Sequence, residues 1–459
     1  MNLIELRFES FYMEVFMEKF FGENKEENIY LDNGASTLAL LEVKEEADEF
    51  LKSYGSVHRG SGYNSQKSTK AYENSRDKIL DYIDGDKNED AVIFTSNTTD
   101  GINKFVLMSN YKKVLISDIE HSSNRLPWEK SCEVVELKTK NFQVDLNELE
   151  EKLKNDREIE LVALTAASNI TGLVTDIKEV YKICKKYGVV FFLDASQYAP
   201  HFRPSLKDCD VMVYCGHKMY APFGSGVLAG KKELFRTDRQ AVTGGGNVIY
   251  VGKQGIVYKD VPYMHESGTP NGLGCVTLAK AHEILYTKIG EKKLEEHTNK
   301  LVDAIDDICD NLESAGYRVY FGRKVKGVKR TPTLIISNTK ISNKETVRLL
   351  NETIGNYNKN IFCREGAFCA YRLIEKLGIV SSNPIVDKNN SKIEITSLKN
   401  LGGNRYIGRD GDRLSPEYSL IRFSAGLINN VEDIRYLEQK LIAINKMVDD
   451  NEYTIKVRR

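Results

Sequence analysis

Residues 211–226 read VMVYCGHKMYAPFGSG. The apolar run Val211–Tyr214 gives way at once to Cys215, Gly216, His217 and Lys218, then to Tyr-Ala-Pro and a glycine-rich tail. Such a short run fits a fully buried strand. The lysine therefore stands where a strand hands over to a tight loop. A lysine in that place is either a surface residue that snorkels or a nucleophile. The rest of the chain decides between the two, and in doing so decides the fold.

Four further runs of the same kind precede it: AVIFT (91–95), VLISD (114–118), LVALT (161–165) and VVFFLD (189–194). Amphipathic segments lie between them, such as DIKEVYKICKKYG (176–188), which has helical spacing and a closing glycine. Alternation of this kind predicts a mainly parallel sheet covered by helices. Sites in such sheets lie at the carboxyl ends of the strands. The polar residues follow the runs closely: Thr98 and Thr99, then His121, Asn169, Asp194 and Lys218. Five strand ends thus point at one place.

From about 272 to 315 the pattern turns helical, and a second α/β region follows, with TPTLIIS (331–337) and SLIRFSAG (419–426) as expected strands. The division expected is a large domain over 29–295 and a smaller domain from 1–28 with 296–459, carrying a polar insertion near 380–418. The first 28 residues hold Glu5, Glu9, Glu14 and Glu18 and lack a basic start. They read as an amphipathic helix packed on the body rather than an export leader.

A chain of 459 residues with 41% hydrophobic and 29% charged residues fits an ordinary globular protein of more than one domain. The net charge of −1 gives no case for nucleic acid or an anionic membrane. No apolar run approaches a membrane span. The eight cysteines form no C-x-x-C pair and no metal-ligand spacing, so no metal is expected. A reducing cytoplasm is the expected compartment, with most cysteines serving as small buried hydrophobes.

Lys218 and Asp194 suit pyridoxal 5'-phosphate, whose chemistry needs a Schiff-base lysine and a carboxylate on the pyridine nitrogen. FTSNTTDGINKF (94–105) offers a helix N-terminus after a strand, a place for the phosphate. His121 could lie flat on the ring, and Asn169 and Gln197 could reach its hydroxyl. Singly, each has a plainer reading: a surface lysine, a turn aspartate, a helix cap, a structural histidine. Their order and spacing together favour the site.

The chain resembles the class V aminotransferase group of fold-type I pyridoxal phosphate enzymes, and within it the group II cysteine desulfurases and selenocysteine lyases. The resemblance rests on YLDNGAST (30–37), VHRG (57–60), TSNTTDGIN (95–103), EHSSNRLPW (120–128), ASNITG (167–172), LDASQ (193–197), GHKMYAPFGSG (216–226), HESGTPN (265–271), REGAFCA (364–370) and RFSAGLINN (422–430). It implies an internal aldimine on Lys218, Asp194 at the pyridine nitrogen and His121 stacked on the ring. Thr98, Thr99 and His217 would bind the phosphate, and Gln197 and Asn169 the ring hydroxyl or the substrate. Thr269 would reach the phosphate of the neighbouring subunit in a homodimer. Arg422 would clamp the substrate carboxylate, with Arg364 close by. Cys369 would take sulfur or selenium from L-cysteine or selenocysteine as a persulfide, leaving alanine and passing the sulfur to an acceptor such as a protein.

Three departures stand out. Ala367 and Phe368 replace histidines usual before the cysteine, and Cys215 replaces a phosphate-binding serine. The interval from Cys369 to Arg422 is filled by the polar insertion. These keep a second expectation open: another class V reaction, such as transamination, epimerisation or C–S elimination, on a different amino acid.

Overall fold

A computed structural model describes residues 27–236, 238–378 and 420–450. The helix expected at the N-terminus, apart from its last two residues, and the insertion at 380–418 lie outside the described residues.

The larger sheet has seven strands: β1 (Asp90–Thr95), β2 (Lys113–Ser117), β3 (Glu133–Leu137), β4 (Leu161–Thr165), β5 (Val190–Asp194), β6 (Val211–Cys215) and β7 (Gly226–Lys231). Their spatial order is β1-β7-β6-β5-β4-β2-β3. All neighbours are parallel except β7, which runs antiparallel to β1 and β6. The alternation of the strands feeds two cores. Val162, Leu164, Phe191 and Leu193 face one, and Leu161, Ala163 and Phe192 face the other. A sheet buried on both faces needs apolar residues at every position, which is why these runs show no polar alternation.

Two strands of this sheet were not expected from the sequence. Glu133–Leu137 is a half-buried edge, too polar to stand out. Gly226–Lys231, with glycines at 226 and 230, was not singled out and is a buried strand. Its glycines answer to crowding. A Cβ at Gly226 would lie 2.6 Å from Thr95 Oγ1, and one at Gly230 would lie 2.4 Å from the Asp210 carbonyl oxygen.

The helices follow their caps. α1 (Thr98–Met108) starts at Asn97, whose side chain accepts from the Asp100 amide. α2 (Ile177–Tyr187) starts at Asp176 and ends at Gly188, which has φ +70°. The helical stretch expected over 272–315 is made of Gly272–His282, a wider-wound segment Glu283–Gly290, and α3 (Glu291–Ser314), with a break at Gly290, whose φ is +86°. Leu294 of α3 packs in the larger core, and Leu301, Ile305 and Leu312 pack in a second one.

That second core backs a four-stranded antiparallel sheet: β8 (Tyr317–Phe321), β9 (Thr333–Asn338), β10 (Arg364–Gly366) and β11 (Leu420–Ser424), in the order β8-β9-β11-β10. Arg364 and Arg422 are direct partners across β10 and β11. Near the start of the described chain, Asn28–Tyr30 pairs with Asn360–Phe362, and Asp32 bridges to Ser424. This delivers Asp32 to the end of the smaller sheet that faces the larger one. No described helix is long and apolar enough to cross a membrane.

Candidate active site

The strand ends meet at a pocket of about 790 Å³. Its wall includes Thr98, Thr99, His121, Asn169, Asp194, Gln197, His217, Lys218, Arg364, Cys369 and Arg422. Every residue expected at this chain's own site is therefore present; Thr269 was expected at the neighbouring subunit's site. That residue lines an adjoining hollow, which shares Ser96 and Gly224 with the main pocket.

Lys218 ends the tight turn Gly216–Lys218 that follows β6. Its amine makes no hydrogen bond or ion pair with any described residue. Asp194 ends β5 and is buried. Its Oδ1 accepts from the Ser196 amide at 3.0 Å and the Ser196 hydroxyl at 2.6 Å. Its Oδ2 has no hydrogen-bond partner among the described residues. Ser196 in turn lies 2.7 Å from Thr98 Oγ1, so the start of α1 and the buried carboxylate share one small network. Ser196 was not singled out in the sequence, although a serine two places after an aspartate is a recognisable turn signal.

His121 caps the turn Ser122–Asn124, and its Nδ1 accepts from the Ser123 amide at 3.1 Å. Burial pushes its pKa down to about 4. Lys218 adds to this, Asp194 opposes it, and Arg422 contributes a smaller push downward. The ring is neutral at ordinary pH. Burial and then Lys218 bring His217 down to about 4 as well. His217 Nε2 lies 3.6 Å from Cys215 Sγ, which stands where a serine is usual. At the start of α1, the Thr98 and Thr99 amides lack intrahelical partners by position. Thr99 Oγ1 lies 2.7 Å from Ser123 Oγ, and Gln197 donates to the Gly34 carbonyl at 2.7 Å.

Behind His121 lies Glu120, also missed in the sequence. Its carboxyl is fully enclosed and accepts from Ser117 Oγ (2.5 Å), the Thr165 amide (3.1 Å) and Asn124 Nδ2 (2.7 Å). Burial pushes its pKa up to about 7, against these hydrogen bonds, with a further small push from Asp194.

The smaller sheet supplies the opposite wall. Arg422 is buried, donates to the Asn169 carbonyl at 3.3 Å and reaches Asp32 Oδ1 at 3.1 Å. Its Nε is buried without a partner among the described residues. Its guanidinium carbon lies 4.9 Å from the centre of the Phe368 ring. Arg364 Nε lies 3.3 Å from Asp32 Oδ2.

Phe368 and Cys369 both have left-handed backbone, with φ of +54° and +55°. Non-glycine residues rarely hold that conformation in succession. The segment is held by Asn169 Nδ2, which donates to the Phe368 carbonyl, and by Ser122. Five cysteines are buried and two half-buried; Cys369 is exposed, on the pocket wall.

A family model described as aminotransferase class-V matches residues 29–437. A probable cysteine desulfurase of Aeropyrum pernix is 30% identical over 364 residues, covering 75% of this chain and 86% of that protein. One of Halalkalibacterium halodurans is 28% identical over 371 residues, covering 77% and 87%. The apo structure of a cysteine desulfurase from Thermococcus onnurineus superposes with a TM-score of 0.77 at 26% identity, covering 95% of this chain and 98% of that one. On its fold, and on a match that spans both sheets and every strand end of the pocket, the chain belongs to the class V aminotransferase family of enzymes.

Proposed function

We propose that this enzyme removes sulfur from L-cysteine, or selenium from selenocysteine, to leave L-alanine, with pyridoxal 5'-phosphate bound in the pocket and Cys369 as the first acceptor. The observation that carries this reading is the pairing of Lys218 with Oδ2 of the buried Asp194, both without a hydrogen-bond partner among the described residues, in a pocket whose wall bears the exposed thiol.

The residues fit the cofactor. Asp194 Oδ2 is a free acceptor for a ring N–H, and the flat, neutral His121 suits a ring face. The start of α1, with Thr98, Thr99 and His217, suits a phosphate. Asn169 and Gln197 suit the ring hydroxyl. When bound, the cofactor supplies an aldehyde that takes up amines and a protonated ring that withdraws electrons from the α-carbon.

The protein's own groups do the rest. Arg422 holds the substrate carboxylate and fixes the orientation of the α-carbon. Lys218 Nζ removes the α-proton and later returns it. Cys369, as thiolate, forms a bond to the substrate sulfur while the carbon–sulfur bond breaks and its electron pair stays with carbon. Protonation of that carbon yields alanine, and Cys369 keeps the sulfur as a persulfide. No oxidant is required: the outer sulfur passes to an acceptor thiol, small or protein, without net redox change, and its release as sulfide takes two electrons from a reducing thiol.

The pairing into a homodimer belongs to the same proposal. It is supported by Thr269, which faces a hollow that adjoins the pocket, and by an exposed apolar hairpin, Val248–Tyr258, with Ile249, Tyr250, Val251, Ile256 and Val257 in solvent. A cytoplasmic setting agrees with eight free thiols.

The test is sulfide and alanine release from L-cysteine with a reductant present. Cys369→Ala should abolish sulfide release while keeping the bound chromophore. Full activity of that variant sinks the persulfide role. The second reading, another class V reaction, draws on Phe368 in the place of a histidine. Amino-group exchange with a 2-oxo acid, without sulfide release, would establish it. Sedimentation at equilibrium checks the dimer.

A further inference from the structure

The smaller sheet sets Arg364 directly opposite Arg422, and both guanidinium groups reach the pocket wall. Like charges opposite one another across strands repel. Asp32 stands between them, with Oδ1 3.1 Å from Arg422 Nη2 and Oδ2 3.3 Å from Arg364 Nε. Its side chain makes no other hydrogen bond or ion pair among the described residues. It is largely buried, at 15% side-chain exposure, so water screens its pair with the buried Arg422 little and its pair with the half-exposed Arg364 more.

Asp32 backs the pocket wall rather than lining it, and the charges of wall and backing sum simply. Two arginines and one aspartate leave a single positive charge, and His121 beside them is neutral. One incoming carboxylate brings the wall to neutrality. A second acidic group on the same ligand would need Arg364, whose Nε is already turned to Asp32, and would be repelled by the like charge of Asp32 behind the wall.

We propose that Asp32 is a specificity-determining residue: it occupies the second arginine and so restricts the pocket to amino acids with one carboxylate. This rests on the reading of Arg422 as the substrate-carboxylate clamp. A merely structural Asp32 would also quiet the Arg364–Arg422 repulsion, but it would not set a preference between ligands. The two roles therefore separate by experiment.

The experiment is calorimetric titration of the cofactor-loaded enzyme with L-alanine and with L-aspartate. The wild type should bind L-alanine more tightly. In Asp32→Asn the ratio should shift toward L-aspartate by about tenfold, the effect of one partly buried charge pair. Adding Arg364→Gln to that variant returns the wall to one positive charge and should restore the wild-type preference. Arg364→Gln alone leaves Asp32 to cancel Arg422 and should weaken L-alanine by about tenfold, so the proposal stays open to refutation even if Asp32→Asn does not fold. An unchanged ratio in folded Asp32→Asn, or unchanged L-alanine binding in Arg364→Gln, overturns it while the clamp stands. If the wild type binds neither amino acid, the clamp reading falls and this inference falls with it.

Discussion

Ser122 holds the carbonyl of Cys369 twice, through its amide and through its hydroxyl, each at 2.7 Å. The turn that carries His121 on the larger sheet therefore grips the thiol segment of the smaller one. Ser122→Ala removes one of the two bonds, which is worth about 1 kcal/mol. Sulfide release should fall about fivefold at saturating L-cysteine, with the bound chromophore unchanged. Single-turnover kinetics check this.

Phe368 lies over Arg422, and its carbonyl is held by Asn169. Removing the ring exposes the guanidinium to water and loosens its aim. Phe368→Ala should raise KM for the amino acid about fivefold, in line with a partly desolvated cation–π contact of ~1 kcal/mol. Phe368→Tyr should keep the contact and the wild-type KM. Steady-state kinetics of both variants separate this from general loosening of the loop.

Six of the seven histidines have lowered pKa values, among them His201 at about 3 and His121, His217, His282 and His297 at about 4. Burial is the leading cause in each. The folded protein keeps these rings neutral at a pH where the unfolded chain binds protons, so stability is lost as pH falls below about 6.5 toward 4. Thermal unfolding should therefore shift to lower temperature across that window. A Tm that holds flat from pH 6.5 to 4.5 would contradict it.

Glu120 answers three donors in a closed space. Glu120→Ala leaves them unsatisfied and should cost about 3 kcal/mol. Asn124, one of those donors, also accepts from Trp128 at 3.3 Å, and Trp128 is the sole tryptophan of the chain. Urea unfolding followed by tryptophan emission checks both the loss of stability and a change in the folded-state spectrum.

The legible parts of this molecule were local. Strand runs such as Leu161–Thr165 and the polar residues just beyond them lie within a few positions of one another, so pattern and turn chemistry reveal them together. Asp194, Lys218 and His121 were found in that way, and the structure brings them to one pocket. Gly226–Lys231 was not singled out, because its glycines signal a turn far more often than a crowded strand. Asp32 was out of reach for another reason. Its meaning lies in a contact with Arg422 across 390 positions, which no local pattern encodes. Glu120 beside His121 was overshadowed by its neighbour, and only enclosure reveals what its carboxyl does.

The uneven burial of the eight cysteines has a practical consequence. A thiol reagent should label one site per chain quickly, the half-buried Cys132 and Cys363 more slowly, and the five buried thiols only as the protein unfolds. Air should act with the same selectivity: Cys369 would climb the oxidation ladder through sulfenic to sulfinic acid while the enclosed thiols stay reduced. The shelf life of a preparation is then set by a single sulfur atom, and mass spectrometry of the peptide that carries it would date the sample.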